Sequence, residues 1–366
     1  MEPIRVLHMI GSLNIGGSQT MVLNLYRSID RRQIQFDFVI DHPEEVYLKP
    51  EVENLGAKVY VMPAYNGANL VQIKKSWKKF FLEHPEYKIL HSHVRSYASL
   101  YIPIVKKMGI KTIIHSHSTS NGKGIKSFVK KVLQLPLRNQ ADCFMGCSKE
   151  AGEWLFGKKV VKSNKYFVLK NAIDTNLYRF NPVIRENYRK DLNLNGKIVY
   201  IHVGRFHPAK NHVFLLNLFA ELQKQQNNAV LLLVGDGGLR SEIEAQIQAL
   251  HLWDSVYLLG NRSDVANLLQ AADRFLFPSL WEGLGIVAIE AQAAGLPTFC
   301  SDVVPNEIAV SNLCSFLPLN DPQIWADKIL ASDLSRQDCL QQVVDAGYDI
   351  QSTARWLQDF YLANAM

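Results

Sequence analysis

Two carboxylates, Glu282 and Glu290, bracket the start of one helix in the run SLWEGLGIVAIEAQAAGLP. At about 3.6 residues per turn, this spacing leaves Glu282 in the preceding loop and Glu290 near the second turn. Leu284, Gly285 and Ile286 lie between them, and their backbone N–H groups at the positive end of the helix dipole suit a phosphate. A second loop, VGRFHPAKN, closes a strand at Gly204 and presents Arg205 and Lys210. Loops at the carboxyl ends of strands face the ligand crevice of open α/β sheets, and two fixed cations there would neutralise a diphosphate leaving group. Acids for hydroxyls and cations and amides for phosphate describe a phosphorylated, polyhydroxylated ligand.

No Asp-x-Asp triplet occurs in the chain. Without such a carboxylate pair to hold a divalent ion against a diphosphate, the expected chemistry uses fixed cations and a helix terminus. The expected metal ligands and cofactors are therefore none. Two other glycine loops exclude competing chemistries. Gly11 to Ser18 comes within one residue of a P-loop, but Gly17 stands where the phosphate-reaching Lys belongs. In VGDGGLR, Arg240 replaces the last Gly of a dinucleotide fingerprint, which disfavours a nicotinamide enzyme. The five cysteines, at 143, 147, 300, 314 and 339, include only one close pair and are expected as reduced thiols.

The elements that must carry these loops alternate. Apolar runs at Ile4 to Ile10, Phe36 to Ile40, Lys58 to Val61, Ile89 to Ser92, Thr112 to His115, Cys143 to Cys147 and Tyr166 to Leu169 read as strands, mostly separated by helical patterns. The pattern restarts with Ile198 to Val203, Val230 to Val234, Val256 to Leu259, Arg274 to Pro278 and Thr298 to Cys300. Such alternation predicts α/β architecture with two doubly wound Rossmann-like domains, 1–172 and 173–349, and a C-terminal helix at about 350–366 that can pack back on the first. A length of 366 residues also favours two cores over one.

The formal charge of +6 conceals an asymmetry. Residues 1–172 carry 26 Lys and Arg against 13 Asp and Glu, and the remainder carries 14 against 21. Two basic amphipathic segments contribute. One places Ile125, Phe128, Val129, Val132 and Leu133 beside Lys126, Lys130 and Lys131; the other places Leu70, Ile73, Trp77 and Phe80 beside four lysines. Helices of this kind lie in anionic membrane interfaces. Their aromatic residues sit on apolar faces rather than as exposed stacking platforms, so nucleic acid is not an expected partner. The first residues lack a signal-peptide pattern and no run of about twenty apolar residues appears. The expected location is cytoplasmic, peripheral on the inner face of a membrane.

Taken in order, IGSLNIGGSQ, GRFHPAKN at 204–211, LLLVGDGGLR at 231–240 and FPSLWEGLGIVAIEAQAAGLP at 277–297 resemble glycosyltransferase family four, the group 1 enzymes of bacterial exopolysaccharide and capsule synthesis. The resemblance covers nearly the whole chain. It implies the GT-B architecture, two Rossmann-like domains facing a central cleft, with the first on the acceptor side and the second binding a nucleotide sugar. It implies a retaining, hexosyltransferase-type, metal-independent transfer from a nucleotide-diphosphate sugar, UDP-sugar foremost, to a lipid-linked oligosaccharide or other saccharide acceptor. Glu290 would hold the donor ribose, Glu282 the transferred sugar, and Arg205 and Lys210 the diphosphate, with Gly16 and Gly17 closing over it. His117 resembles the active-site histidine of the first domain, His115 competes for that role, and His93 is placed near the acceptor. The sequence departs from the family where Asn211 follows Lys210 in place of a frequent Gly, and where Ala172 stands in KNAID. A carboxylate nucleophile is the other route to retention, but the first half shows no acid at a convincing strand end. An epimerase-like enzyme on nucleotide sugars and an inactive nucleotide-sugar-binding partner of a glycosyltransferase complex are the alternatives.

Overall fold

The computed structural model describes residues 2–14, 16–118, 125–333 and 335–365, with backbone only for 125–127. Two compact units divide the chain, residues 1–172 together with 350–366 and residues 173–349. The first unit holds seven strands: β1 (Ile4–Gly11), β2 (Ile34–Ile40), β3 (Val59–Val61), β4 (Ile89–Ser92), β5 (Lys111–Ser116), β6 (Cys143–Gly146) and β7 (Tyr166–Val168). They form one parallel sheet in the order β3-β2-β1-β4-β5-β6-β7. Helices must carry the chain back between parallel strands, so both faces of the sheet are covered and its central strands read as continuous apolar runs. β2, IQFDFVI, is buried at every position. Its one acid, Asp37, accepts hydrogen bonds from Arg5, Tyr87 and the Lys58 amide, which satisfies a charge that burial would otherwise penalise.

The helix Ile350–Asn364 completes this unit. Its buried residues Ile350, Ala354, Leu357 and Tyr361 recur at helical spacing and join the cluster around Ile34, Phe36 and Phe38. The helix Leu70–Glu83 corrects one expectation. Ile73, Trp77, Phe80 and Phe81 are buried in the core against Tyr87 and Tyr101, so this apolar face is already occupied and its lysines form an ordinary solvated side. The helix Ile125–Gln134 differs: Phe128 is 68% exposed, and Val129 and Val132 about half exposed. The side chains of Ile125 and Lys126 lie outside the described residues.

The second unit holds β8 (Ile198–Val203), β9 (Ala229–Val234), β10 (Val256–Gly260), β11 (Arg274–Phe277), β12 (Thr298–Ser301) and β13 (Cys314–Leu317), again parallel, in the order β10-β9-β8-β11-β12-β13. β13 was not among the expected strands. Its sequence, CSFL, is four residues long and buries only Leu317, so it carries neither alternation nor a solid apolar run. The two ends of this unit are tied to each other: Ile173 bridges Asp349, and the Thr175 hydroxyl donates to the Asp349 carboxylate at 2.8 Å.

Candidate active site

In the second unit the strand order reverses between β8 and β11, the place where doubly wound sheets leave a crevice beyond their strand ends. The loop after β8 carries Gly204, Arg205 and Lys210; the loop after β11 carries Glu282, Leu284 and Gly285. They are joined directly. The Leu280 amide donates to the Ala209 carbonyl at 2.8 Å, and Lys210 Nζ donates to Glu282 Oε1 at 2.5 Å, both side chains mostly shielded from solvent. The Lys210 ammonium also lies 5.0 Å from the centre of the Phe277 ring, a cation–π distance. The family resemblance implies separate partners for Lys210 and Glu282, diphosphate and sugar; here they hold each other. Arg205 is exposed and makes no side-chain hydrogen bond or ion pair among the described residues.

Backbone demands explain the glycines here. A Cβ on Gly204 would meet Lys210 Cε at 3.0 Å, so its absence lets the lysine stem lie across the loop. Gly285 has φ +88°, and a Cβ there would come within 2.9 Å of the Phe277 ring. Gly285 opens the helix Ile286–Ala293, whose amino end is capped by no side chain among the described residues. Asn211, the departure from the family pattern, sits at φ 54°, ψ 50°. Asn tolerates this left-handed conformation better than other non-glycine residues, so it performs the turn for which Gly is usual. One turn into the helix, Glu290 is half-buried and accepts a hydrogen bond from the Tyr178 hydroxyl. Burial pushes its carboxyl up to about 7, and the Tyr178 contact only partly offsets that. Tyr178, in the short helix Thr175–Tyr178, was missed in the sequence because nothing local links NLY to a helix more than a hundred residues on.

The first unit presents different chemistry at the matching place. β1 and β4 are neighbours across its own reversal, with His8 directly opposite His91 in register. Five imidazoles cluster beyond and between β1, β4 and β5. His8 Nδ1 stands 3.0 Å from His93 Nε2, His93 Nδ1 stands 2.8 Å from His117 Nε2, and the His115 and His117 rings stack at 4.0 Å. His115 is fully buried, whereas His117, just past the end of β5, keeps part of its surface. Burial lowers His8 to about 3 and, with a lesser contribution from Arg95, His117 to about 3; it lowers His91, His93 and His115 well below the ordinary value, with repulsion from neighbouring rings as a lesser cause. All five are therefore neutral at neutral pH, able to exchange hydrogen bonds but not to supply fixed charge. Gly16 precedes the helix Gly17–Ser28 as its cap residue, with no side-chain cap among the described residues, and Gly17 is exposed.

A cavity of about 520 Å³ opens at these strand ends, lined among others by Gly11, Asp41, His93, Arg95, Tyr97 and Lys130. Asp41 corrects the expectation that no acid in this half ends a strand. It follows β2 immediately, is buried, and accepts a hydrogen bond from Tyr97, while burial pushes its carboxyl up from the usual range. An Asp placed directly after a run of buried strand residues was the available signal.

Each unit alone is a doubly wound Rossmann-like sheet, and the two in succession define the GT-B class. Residues 15–177 match the family described as Glycosyltransferase Family 4, and residues 184–331 the one described as Glycosyl transferases group 1. The chain is 31% identical over 369 residues to the putative glycosyltransferase EpsF of Bacillus subtilis (strain 168), covering 98% of this chain and 96% of that protein. It is 26% identical over 386 residues to the UDP-Gal:alpha-D-GlcNAc-diphosphoundecaprenol alpha-1,3-galactosyltransferase of Escherichia coli, covering 98% and 97%. In fold it is similar to Anabaena Alr3699/HepE crystallised with UDP, at a TM-score of 0.80 and 18% identity, covering 98% of this chain and all of that one. The chain belongs to the group 1 glycosyltransferases of family four.

Proposed function

We propose that the chain is a retaining glycosyltransferase that moves a hexose from a UDP-sugar to a lipid-diphosphate-linked saccharide during surface polysaccharide assembly. The observation that supports this most is the Lys210–Glu282 pair at 2.5 Å, set beside the uncapped amino end of Ile286–Ala293. The pair is poised to open: Lys210 exchanges the carboxylate for a phosphate oxygen, and Glu282 turns to the hydroxyls of the sugar. Arg205 and the amides of Leu284, Gly285 and Ile286 take the remaining phosphate charge, and Glu290 takes the ribose hydroxyls. Gly16 and Gly17 offer the backbone of the first unit to the diphosphate, and His117 meets the sugar as a neutral hydrogen-bonding group.

In the transfer itself the bond from the anomeric carbon to the diphosphate oxygen breaks, and the acceptor hydroxyl forms its bond on the same face. A phosphate oxygen of the departing diphosphate takes the hydroxyl's proton, and the fixed cations stabilise the developing charge without a metal at the diphosphate. Both compared proteins with stated ligands handle UDP or a UDP-sugar, and the Escherichia coli relative's acceptor is a diphosphoundecaprenol. Lipid-surface binding is supported by the exposed Phe128, Val129 and Val132 beside Lys130 and Lys131. Among the described residues no helix is long and apolar enough to cross a membrane.

The test is a thermal-shift panel of nucleotide sugars, followed by transfer of the selected donor to a synthetic polyprenyl-diphosphate saccharide and assignment of the product's anomeric configuration. A selective shift with UDP-sugars and a retained anomer are expected. An inverted product refutes the same-face displacement, donor interconversion without transfer reveals an epimerase, and binding without turnover of any donor reveals an inactive partner.

A further inference from the structure

The geometry points to a transition-metal site in the first unit, with His8, His91 and His93 as its ligands and a nitrogen-preferring divalent ion such as Zn²⁺ or Co²⁺ as its occupant. Each of the three offers one ring nitrogen, and these atoms all lie within 4.8 Å of one another. Metal–nitrogen bonds of about 2.0–2.1 Å put tetrahedral ligands about 3.3 Å apart, and His8 Nδ1 and His93 Nε2 already stand at 3.0 Å. The rings themselves are close, with centroids at 5.2 Å for His8 and His91 and 4.4 Å for His91 and His93.

Three observations favour this group over a merely structural cluster. His91 Nε2, the ring nitrogen not engaged by Tyr361, is buried without a hydrogen-bond partner among the described residues, and an unpaired buried polar atom is costly. The supporting contacts that orient metal-bound imidazoles are also present: the Tyr361 hydroxyl is 2.6 Å from His91 Nδ1, and His117 Nε2 is 2.8 Å from His93 Nδ1. An entry path exists as well, since His93 lines the 520 Å³ cavity while His8 and His91 are almost fully enclosed behind it.

The ligand set dictates the ion. Three neutral imidazoles supply no negative charge, which selects against hard, oxygen-preferring ions and for ions that bind nitrogen strongly. Binding replaces the proton shared between His8 Nδ1 and His93 Nε2. The site lies in the sheet of the first unit and does not depend on how the donor diphosphate is held, so its test does not read transfer activity.

Untagged full-length protein, stripped with a chelator, would be titrated with Co²⁺ and followed by visible absorption and by thermal unfolding. The expected result is uptake of about one Co²⁺ per chain with a tetrahedral-type spectrum, a melting temperature that rises with ion concentration, and no response to Mg²⁺. His8→Asn and His91→Asn should each abolish the spectrum, while His115→Asn, in the neighbouring group, leaves it. No uptake by the parent, uptake unchanged by either ligand substitution, or loss in His115→Asn alone overturns the assignment. If the substituted chains do not fold, X-ray absorption on the Zn²⁺-loaded parent decides: several imidazoles around the ion uphold the site, and sulfur or oxygen ligands alone refute it.

Discussion

The two sheets share a winding pattern and differ in what they hang on their strand ends. The second unit offers fixed charge and bare backbone, with Lys210 against Glu282, Arg205 exposed and Gly285 opening an uncapped helix. The first offers a cluster of five neutral imidazoles, of which His93 lines a cavity together with a reluctant acid, Asp41. Phosphate calls for the first kind of surface and sugar hydroxyls for the second. On the proposed function one scaffold serves two chemistries through a few loop residues, and the fold by itself assigns neither.

The sharpest way to break that contrast is Lys210→Ala. On the proposed mechanism it removes a preorganised charge from the leaving group, so turnover should fall about a hundredfold to a thousandfold, roughly 2.7–4 kcal/mol of transition-state stabilisation. His117→Ala, which removes only a neutral group, should cost less. Steady-state kinetics on both, with circular dichroism as the fold control, decides; a larger loss at His117 would place the catalytic weight in the wrong unit.

The next effect follows from Glu290. An unfolded chain ionises this carboxyl near its ordinary 4.5, whereas burial holds the proton to about 7 in the folded unit. The stability it contributes is therefore fully present below about 4.5 and is lost as pH rises through 7, on the order of 3 kcal/mol in all. Glu290→Gln should match the parent at low pH and exceed it in denaturant melts above pH 7. The ribose hydroxyls on the proposed mechanism prefer the ionised form, so nucleotide binding near pH 6.5 should release a fraction of a proton. Calorimetry in buffers of different ionisation enthalpy measures that release; a parent with no buffer dependence, or a variant that keeps it, would sink the ribose role.

How much of this contrast could be read beforehand differs by unit for a physical reason. The second unit's site was legible because its parts are local. Glu282, Gly285 and Glu290 fall in one run, and helix periodicity places them relative to each other. What escaped was the long-range pairing of Lys210 with Glu282 and of Tyr178 with Glu290, which depends on β8 lying beside β11. The first unit's cluster was legible only as His93 and the pair His115/His117. Their assembly with His8 requires β4, not the next strand in sequence, to flank β1 on one side and β5 to flank β4. Asp41 offers only its position directly after a buried strand, since a lone acid carries no spacing to read. For the helix Leu70–Glu83 the periodicity was right and the partner wrong: amphipathicity shows that a face is buried, not whether core or lipid buries it.

Gly285→Ala tests whether the bare backbone is itself required. A side chain at φ +88° with the Phe277 ring 2.9 Å away should cost about 1–3 kcal/mol of stability and weaken nucleotide binding further, because the helix start must shift. A variant that melts and binds like the parent would mean that the turn has slack and that its amides are not aimed at the phosphate.

The smallest effect concerns the exposed helix Ile125–Gln134, where the two units differ in charge rather than in chemistry. Lysines near an anionic surface contribute about 1 kcal/mol each, roughly a fivefold change in partitioning. Lys130→Glu with Lys131→Glu should lower sedimentation with anionic vesicles by more than tenfold, and Phe128→Ser should weaken it independently of salt. Lys74→Glu with Lys75→Glu, on the helix whose apolar face is already committed to the core, should shift partitioning far less. Equal losses from the two pairs would mean that the charge of the whole unit, not an inserted helix, holds it to the surface.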